Sequence, residues 1–536
     1  MTNRLYYGDN IQVLRASIPD ESVDLIYLDP PFNSNANYNI LFKSPAGSGS
    51  DAQIEAFEDT WAWNDRAEDA FDQVARSGNT KAFDLLNAMR GFLGENDMMA
   101  YLSMMAIRLI ELHRVLKPTG SLYLHCDPTA SHYLKLLLDG VFGADKYRSE
   151  LIWKRTTSHN DAVRTYPDVS DSIFFYTKGD RYTFNRQYTD YDPAYVASKY
   201  RYKDEKGRLY RLSDLRSPSP RPNLTYDYKG YKPHPNGWAL SRERMEEADR
   251  LGLLEFPKKP EGRIQFRRYL DEREGMPVTS VWDDIRPINS MAQERLGYPT
   301  QKPLALLERI IAASSNEGDV VLDPFCGCGT AVHAAQKLGR RWIGIDVTHL
   351  AISLIEKRLK DAFPGIDFTV EGTPKDLAGA QDLAARDKYQ FQWWAVSLVD
   401  AMPHGGKKKG ADGGVDGIIY FKPDGKRTEK AIVSVKGGAN VGVQMIRDLH
   451  SAMEREKAPI GVFITLALPT SVMEKEAAAV GRFHAEATGR SYPRLQILTL
   501  AELMQQGKKP DIPFVDAGAA FRKAGRESTG KQGTLL

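Results

Sequence analysis

The sequence predicts an α/β protein with several domains, and three observations support that prediction. Residues 303–363 read in turn as helix, strand, helix, strand and helix. An apolar run at 23–28 stops abruptly at Asp29-Pro30-Pro31, as a buried strand of a parallel sheet does. A second alternation of helices and strands covers 390–466. With 536 residues, at about 150 residues per domain, three or four domains are expected in total.

The first 150 residues form one part of the first α/β unit. We expect a short strand, a helix over 10–16 and the strand over 23–28. Residues 33–95 are polar, acidic and weakly patterned, and they predict an irregular segment. From Met98 to Val115 apolar residues recur at helical spacing, and "KPTG" ends that helix before the strand "SLYLHCD".

Residues 151–290 differ in composition and predict an inserted domain. They contain 13 of the 25 tyrosines and 11 of the 29 prolines. Over 151–235, 16 basic and 10 acidic side chains give a net charge of +6, in a chain whose total charge is +2. Such a segment can contact a polyanion or can be a solvated surface, and composition alone leaves both interpretations open.

The rest of the chain divides into four parts. Residues 291–365 complete the first α/β unit. Residues 366–388, rich in Gly, Ala, Asp and Lys, predict a linker. Residues 389–517 form the second α/β unit, and the tail 518–536 is expected to be loose.

Composition excludes several classes of protein. Hydrophobic residues make up 42% and charged residues 26% of the chain, which excludes wholesale disorder. Three cysteines cannot form a disulfide framework, and the start of the chain does not resemble a signal peptide, so a cytoplasmic protein is expected. No apolar run is long enough to cross a bilayer, and no membrane partner is expected.

A glycine-containing loop, "DPFCGCGT" at 323–330, joins a strand to a helix. Gly327 and Gly329 let the backbone approach a ligand, and the helix after them offers free amide donors. Asp346 ends the next strand, where a carboxylate can accept both ribose hydroxyls of a nucleoside. The third glycine of the dinucleotide fingerprint is missing, and Asp323 would repel a pyrophosphate. The loop therefore favours the cationic S-adenosylmethionine over NAD.

Cys326 and Cys328 lie within this loop, yet they do not predict a metal site. A structural zinc site needs four ligands, and only His333 is near in sequence. We interpret both cysteines as small apolar residues, and no metal is expected here.

The tetrapeptide Asp29-Pro30-Pro31-Phe32 follows a buried strand and so lies at the edge of the sheet where α/β proteins bind ligands. The exocyclic amino group of adenine or cytosine is a poor nucleophile, because its lone pair is delocalised into the ring. The Asp29 carboxylate and the Pro30 carbonyl can accept its two N–H bonds, and Phe32 can stack on a base turned out of its helix. The structural alternative is a rigid turn at the end of a strand.

Four motifs together resemble the amino-group DNA methyltransferases: "DPPF" at 29–32, "TQKP" at 300–303, "DPFCGCGT" and "GID" at 344–346. Their order, with the tetrapeptide before the cofactor loop, is similar to the β class of that family. The resemblance covers residues 1–365. It implies a Rossmann-like fold with a seven-stranded, mostly parallel sheet, S-adenosyl-L-methionine as the methyl donor, and a target-recognition domain at 151–290.

The resemblance also implies partners. Double-stranded DNA is the expected substrate, and a cognate restriction endonuclease is an expected companion. The β class suggests a homodimer, and the helix from Met98 to Val115 is the candidate interface.

By motif, the resemblance assigns residues to two sets. The catalytic set contains Asp29, Pro30, Pro31 and Phe32. The cofactor set contains Asp9, Lys302, Asp323, Pro324, Phe325, Cys326, Gly327, Gly329, Thr330 and Asp346. Asp before the two prolines is the commoner pattern in N6-adenine enzymes, so the resemblance implies methyl transfer to adenine N6 by base flipping. Transfer to cytosine N4 remains the alternative.

Residues 389–517 resemble the restriction-endonuclease-like domains of the PD-(D/E)xK superfamily. Asp416 lies in one expected strand and Lys436 in the next. Such nucleases hold Mg²⁺ with two acids, or with an acid and a glutamine, beside a lysine. Ser434 stands where the second ligand is expected, so a DNA-binding or regulatory domain is the preferred interpretation.

Besides transfer to cytosine N4, two further alternatives remain. In one, Asp416 and Lys436 serve an active nuclease that uses Mg²⁺, and the chain is a restriction–modification fusion. In the other, the chain is a non-enzymatic DNA-binding protein that keeps a methyltransferase fold.

Overall fold

The computed structural model describes most of the chain. The described residues are 2–31, 37–43, 49–58, 63–156, 164, 166–259, 262–289, 292, 294–296, 298, 301–404, 414–424, 427–486, 488–513 and 527, with the backbone alone for 37–43 and 49–58. They form two compact units, the first over Met1–Asn185 and Ser280–Thr529 and the second over Arg186–Thr279. Within the described ranges, no helix is long and apolar enough to cross a membrane.

The first part of the first unit alternates strands and helices. In chain order its elements are β1 (Arg4–Tyr7), α1 (Asn10–Ser17), β2 (Val23–Leu28), β3 (Asn37–Lys43), β4 (Gly49–Glu58), α2 (Asp65–Arg76), α3 (Thr80–Leu93), α4 (Asp97–Val115), β5 (Leu116–Cys126), α5 (Ser131–Phe142), β6 (Tyr147–Lys154) and β7 (Ser170–Thr177).

The second unit contains short strands and two helices. Its elements are β8 (Tyr188–Thr189), α6 (Pro193–Lys199), β9 (Tyr202–Lys203), β10 (Leu209–Asp214), α7 (Arg242–Arg250), β11 (Leu254–Glu255), β12 (Gln265–Tyr269) and β13 (Met276–Pro277).

The chain then returns to the first unit. The elements up to residue 371 are β14 (Val281–Trp282), α8 (Leu304–Ser314), β15 (Val320–Asp323), α9 (Thr330–Lys337), β16 (Arg341–Asp346), α10 (His349–Ala362) and β17 (Thr369–Glu371). The remaining elements are α11 (Leu377–Arg386), α12 (Lys388–Ser397), β18 (Met402–Pro403), β19 (Gly417–Phe421), β20 (Glu429–Lys436), α13 (Val443–Arg455), β21 (Ile460–Thr465), α14 (Ser471–Ala479), β22 (Arg482–Ala485), β23 (Arg490–Pro493), β24 (Leu495–Thr499) and α15 (Leu500–Gln505).

A nine-stranded mixed sheet organises the first unit, in the order β14-β6-β7-β5-β2-β15-β16-β1-β17. β2, β15, β16 and β1 are parallel neighbours, so their carboxyl ends lie at one edge of the sheet. Residues such as Leu25, Ile26 and Leu322 are fully buried, because the strands at the centre of the sheet are covered on both faces. The predicted α/β fold is confirmed, with nine strands instead of seven.

The two additional strands lie at the edges of the sheet. β14 pairs with β6 through two residues, and β17 pairs with β1 through three. β6 and β7 also belong to this sheet, where β7 runs antiparallel to β5. The compact second unit, Arg186–Thr279, is therefore narrower than the inserted domain expected at 151–290.

Two helices, α2 and α3, occupy part of the region for which the sequence predicts an irregular segment. In α2 the residues Ala67, Ala70, Phe71 and Val74 are buried, and their spacing places them on one face. The Asn64 side chain caps this helix by accepting hydrogen bonds from two backbone amides. The prediction was wrong here because the acidic outer face of α2 obscured its apolar stripe.

Helix α4 packs within the core of the first unit, and its expected role as a dimer interface stays a prediction. Tyr101, Leu102, Ala106 and Leu109 are fully buried in it, and it contacts α1, α2, α3 and α5. Most of its apolar residues are buried by packing within the chain, while Met98, Met104 and Ile110 are only partly buried. The strand after it begins at Leu116, so "KPTG" lies inside β5.

Helix α11 lies inside the expected linker 366–388. The Asp376 side chain caps it, and Ala380 and Leu383 are its buried residues. Alanine and leucine are strong helix formers, and this preference outweighed the linker-like composition. The expected loose tail, 518–536, lies outside the described residues except for Glu527.

The C-terminal part of the first unit has its own five-stranded sheet, in the order β18-β19-β20-β21-β24. β19 and β20 are antiparallel, while β20, β21 and β24 are parallel. The core around this sheet includes Phe391, Trp394, Phe421 and Ile464. This second α/β arrangement is the one predicted for the region after residue 389.

Candidate active site

Three carboxylates meet at the carboxyl edge of the large sheet. Asp29 follows β2, Asp323 ends β15 and Asp346 ends β16, and these strands are neighbours or next neighbours. They line a cavity of about 310 Å³. The predicted site residues that line it are Asp9, Asp29, Pro30, Pro31, Lys302, Asp323, Pro324, Phe325, Cys326, Gly327, Thr330 and Asp346. Phe32 and Thr300 lie outside the described residues.

Asp29 is held by Lys302, which lies before α8. The Lys302 ammonium donates to Asp29 Oδ2 at 2.5 Å, and both side chains are largely buried. A fixed cation on one oxygen orients the carboxylate and leaves Oδ1 as an acceptor. In the part of the chain that the structure describes, no group donates a hydrogen bond to Oδ1.

Asp323 lies at the bottom of the cavity. Its carboxylate is 3% exposed and accepts a hydrogen bond from the Phe325 amide at 3.0 Å. Burial, together with the negative charges of Asp29 and Asp346, raises the pKa of Asp323 well above its ordinary value. A cation bound in the cavity would stabilise the ionised form, so this carboxylate suits a positively charged ligand.

Asp346 accepts hydrogen bonds on both oxygens. The Gly327 amide donates to Oδ2 at 2.9 Å, and the amide and hydroxyl of Thr348 donate to Oδ1 at 2.9 Å. Burial raises the pKa of Asp346 to about 6, against these hydrogen bonds, which lower it. The fixed carboxylate at the end of β16 has further lone pairs for the two hydroxyls of a ribose.

The loop between β15 and α9 requires its glycines. Gly327 has φ +49° and Gly329 has φ +73°, both in the left-handed region. A Cβ on Gly329 would lie 2.7 Å from a side-chain carbon of Ile355. Gly329 is outside the cavity lining and acts as the N-cap of α9, so its role is to let the loop turn into the helix.

Cys326 and Cys328 are buried beside this loop. Burial raises the pKa of both thiols, so they are protonated and unsuited to nucleophilic attack. Among the residues that the structure describes, no group of three or more His, Cys, Asp or Glu side chains could hold a metal ion.

A buried arginine, which the sequence analysis missed, positions Asp9. Arg108 on α4 donates to Asn10 Oδ1 at 2.7 Å and to Asp9 Oδ1 at 3.1 Å. Asn10 in turn donates to the Pro324 carbonyl at 2.9 Å. This network ties the start of α1, α4 and the loop at 323–330 together. The one charged residue within the apolar run "MMAIRLI" was its only sequence signal.

A second missed network lies beneath Asp29. The Tyr27 hydroxyl is 2.9 Å from His125 Nδ1, and His125 Nε2 is 2.9 Å from Asp171 Oδ2. The three residues come from β2, β5 and β7, and all are buried. Tyr27 lines the cavity, so this chain of hydrogen bonds fixes its ring as one wall. No local sequence pattern connects residues so far apart.

A third buried network supports the loop from behind. Arg358 on α10 donates to the Cys328 carbonyl at 2.9 Å and to Thr330 Oγ1 at 3.1 Å. Burial lowers the pKa of Arg358. The guanidinium therefore satisfies backbone and side-chain acceptors at the start of α9.

The C-terminal part packs directly against this side of the cofactor loop. Trp393 of α12 is buried in one cluster with Tyr298, Cys328, Leu350 and Leu354. The Tyr298 ring lies directly beside Gly327, since a Cβ placed there would be 3.4 Å from it. The loop is thus supported by a helix that comes from the second α/β region.

The residues expected to form a nuclease site lie close together in this region. Asp416 precedes β19, and its Oδ2 accepts from the Val435 amide at 2.7 Å and lies 3.9 Å from the Lys436 ammonium. Gln392 donates to its Oδ1 at 3.0 Å, and the Ser434 hydroxyl donates to Oδ2 at 3.3 Å. Both carboxylate oxygens already accept protein hydrogen bonds, and among the described residues Asp416 belongs to no group of three or more His, Cys, Asp or Glu side chains that could hold a metal ion. This donor set does not fit Mg²⁺, which needs several oxygen ligands.

Comparison with known proteins gives two family matches. A family model described as DNA methylase matches residues 23–357, and one described as restriction endonuclease matches residues 383–485. The type II methyltransferase M.EcaI of Enterobacter cloacae is 33% identical over 48% of this chain and 57% of its own length. The DNA adenine methyltransferase YhdJ of Escherichia coli K12 is 28% identical over 66% of this chain and 82% of its own length.

Solved structures are similar at lower identity. The crystal structure of the M1.HpyAVI–SAM complex is 15% identical, with a TM-score of 0.30, and the match covers 66% of this chain and 99% of that chain. Several curated relatives are longer than the matched region, and this chain spans only 50–57% of their length.

Proposed function

The chain belongs to the DNA methylase family, and we propose that it transfers a methyl group from S-adenosyl-L-methionine to the N6 amino group of adenine in double-stranded DNA. One observation supports this proposal above the others. Asp29, Asp323 and Asp346 share one cavity with the glycine-containing loop. That cavity combines a carboxylate for an amino group with two carboxylates suited to a cationic nucleoside.

The residues of the tetrapeptide act on the target base. Asp29 Oδ1 and the Pro30 carbonyl accept the two N–H bonds of the amino group, which directs the nitrogen lone pair away from the ring. With the donor bound, the amino nitrogen would take its methyl group while the sulfur leaves, and Asp29 Oδ1 would accept the proton that the nitrogen releases. Lys302 keeps Asp29 oriented throughout. Stacking of the flipped base on Phe32 completes this proposal.

The residues of the loop hold the cofactor. S-adenosyl-L-methionine supplies an electrophilic methyl group on a positively charged sulfur. Asp346 would bind the ribose hydroxyls, and Asp323 and Asp9 would face the positive charges. Pro324, Phe325 and Gly327 would line the pocket around the adenosine. Thr330 and Gly329 shape the start of α9.

Two observations favour adenine over cytosine. Asp29 precedes the two prolines, which is the commoner pattern in adenine enzymes. YhdJ, which matches most of its own length to this chain, is named a DNA adenine methyltransferase. The order of the motifs, with the tetrapeptide first, supports placement in the β class.

The test is to identify the product. Duplex DNA from a strain without methylation is incubated with the protein and S-adenosyl-L-methionine, digested to nucleosides and analysed by mass spectrometry. We expect N6-methyladenine. Detection of N4-methylcytosine would support the same active site with cytosine as the target base. The absence of any methylated nucleoside would contradict the proposed activity.

We infer that residues 389–517 bind DNA or regulate the enzyme without cutting. The oxygens of Asp416 are engaged by Gln392, Ser434 and Val435, and this leaves no site that fits Mg²⁺. The same incubation, with Mg²⁺ in place of the methyl donor, should leave the DNA at full length. Cleavage that disappears in the Asp416→Ala variant would establish an active restriction–modification fusion instead.

A further inference from the structure

The four-stranded sheet of the second unit, β11-β12-β10-β9, carries arginines on both of its central strands. β10 and β12 are antiparallel, and Arg211 lies directly opposite Arg268. Arg267 is the next residue on β12, and Arg208 precedes β10. These four arginines have different surroundings, and the difference indicates where an anion binds.

Two of the four arginines are neutralised by carboxylates. Arg208 forms ion pairs with Asp271 at 2.7 Å and with Glu272 at 2.8 Å. Arg267 forms an ion pair with Glu255 at 2.6 Å. Their charges are therefore balanced within the second unit.

Arg211 and Arg268 lie on the opposite face of the strands from Arg267, because neighbouring residues of a strand point to opposite faces. In the described part of the chain, neither forms an ion pair with a carboxylate. Directly opposed residues in an antiparallel pair have Cβ atoms about 5 Å apart, and like charges there destabilise the sheet. Two cations at facing positions, without a carboxylate partner among the described residues, form a positively charged pair that an anion would stabilise.

Burial strengthens this argument. Both side chains are half-buried, and the Nε of Arg211 is buried without a hydrogen-bond partner among the described residues. An unsatisfied buried donor destabilises the fold, and a hydrogen-bond acceptor from a ligand would satisfy it. Burial, and then the positive charges of Arg273 and Arg211, lowers the pKa of Arg268.

The guanidinium groups are nevertheless held in place. The Arg268 guanidinium lies 4.3 Å from the centre of the Phe266 ring, and its Nε donates to the Ser213 hydroxyl at 3.3 Å. The Arg211 guanidinium lies 5.9 Å from the centre of the Tyr200 ring. Stacking on aromatic rings leaves the N–H edges of a guanidinium available for an acceptor.

We propose that Arg211 and Arg268 together bind one backbone phosphate of double-stranded DNA. A pair of forked donors with two positive charges matches the geometry and charge of a phosphate, and a phosphate contact positions a protein on the duplex without reading sequence. The choice of DNA as the polyanion rests on the proposed function. The anion-binding role of the two arginines is inferred from the contacts within the sheet alone.

The salt dependence of DNA binding tests this proposal. The affinity of the full-length protein for a 30-base-pair duplex is measured by fluorescence anisotropy between about 50 and 200 mM NaCl, without methyl donor. Each phosphate contact contributes about −0.9 to the slope of log K against log salt. Arg211→Gln and Arg268→Gln should each make this slope less negative by about 1. Because both arginines contact the same phosphate, the slope of the double variant should differ little from that of either single variant.

Matched controls come from the same sheet. Arg208→Gln and Arg267→Gln remove arginines whose charges are already balanced, so they should leave the slope as in the wild-type protein. Arg211→Lys keeps the charge and should keep the slope, while the loss of the forked geometry lowers the affinity several-fold. Thermal melting confirms that each variant is folded before it is used.

The outcomes separate this proposal from the proposed function. Equal slopes for the wild-type protein and both glutamine variants would overturn the phosphate contact, even if the protein methylates DNA. An equal loss of slope in Arg208→Gln would also overturn it, since the effect would then be general. Reduced slopes in Arg211→Gln and Arg268→Gln, with no methyl transfer by the wild-type protein, would support the contact and contradict the methyltransferase activity.

Discussion

At the scale of single residues, three carboxylates in one cavity are held in three different ways. Lys302 orients Asp29, burial raises the pKa of Asp323, and backbone amides fix Asp346. These differences suit the carboxylates to different roles. Asp29, fixed by a lysine, can accept hydrogen bonds from N–H groups, and the buried Asp323 can balance the charge of a cation. The chemistry at each strand end follows from its immediate neighbours.

His349, at the start of α10, gives a prediction about pH. Its ring stacks on Tyr7 with centroids 3.5 Å apart, and burial, together with the charge of Arg386, lowers its pKa to about 3. In the unfolded chain a histidine has a pKa near 6.5, so below that pH the unfolded state binds a proton that the folded state does not. The free energy of unfolding should therefore fall as pH decreases from about 6.5, by up to about 1.4 kcal/mol per pH unit.

The measurement is urea unfolding at pH 7, 6 and 5. The His349→Phe variant keeps an aromatic ring beside Tyr7 and should lose stability less steeply than the wild-type protein as pH falls. His450→Phe, at a partly exposed histidine of α13, is the matched control and should behave as the wild-type protein. Identical pH dependence in His349→Phe and wild type would contradict the assignment.

Much of the candidate site could be predicted at the residue scale, because its chemistry is local. Asp29, Asp323 and Asp346 each follow a recognisable strand, and parallel strands bring their ends together. Arg108, Arg358 and the Tyr27 network could not be found, since their partners are about 30 to 100 residues away in sequence. Only the tertiary structure places them.

At the scale of elements, the boundaries of a strand could be predicted where a continuous apolar run marks it. β2 begins and ends where the apolar run at 23–28 predicts, because this strand is buried on both faces. α2, α3 and α11 were missed, since acidic or small residues make up much of their surface. Side-chain caps such as those of Asn64 and Asp376 were the signals that could have found them.

Helix α12 connects the two α/β regions and gives a prediction about cofactor binding. Trp393 packs against Tyr298, Leu350 and Leu354, while Trp394 packs into the C-terminal core. Trp393→Ala should cost about 3–5 kcal/mol of stability and loosen Tyr298 beside Gly327. We expect the Kd for S-adenosyl-L-methionine to rise about tenfold, which is about 1.4 kcal/mol.

Isothermal titration calorimetry measures this, at a temperature where each variant is folded. Trp394→Ala is the matched control, because it removes a tryptophan of similar burial that does not contact the cofactor loop. It should destabilise the protein to a similar extent and leave the Kd unchanged. Equal Kd values for both variants would show that α12 does not support the loop.

At the scale of the whole molecule, two sites share one supporting helix. Within α12, Trp393 contacts the wall of the methyltransferase cavity, and the neighbouring Gln392 donates to Asp416. The C-terminal region matches a restriction-endonuclease family, and the Ser434 hydroxyl donates to the Asp416 carboxylate from the position where a second metal ligand is expected. Under the proposed function, these contacts let this region contribute by supporting the loop that we propose holds the cofactor.

The central claim, that the cavity transfers a methyl group to an amino group held by Asp29, is tested most directly by one variant. Asp29→Ala is assayed in parallel for tritiated methyl transfer to duplex DNA and for S-adenosyl-L-methionine binding. We predict that transfer falls by at least about a hundredfold, the size expected for the loss of one such acceptor, while the cofactor Kd changes by less than about twofold. Methyl transfer at the wild-type rate in Asp29→Ala would contradict the claim.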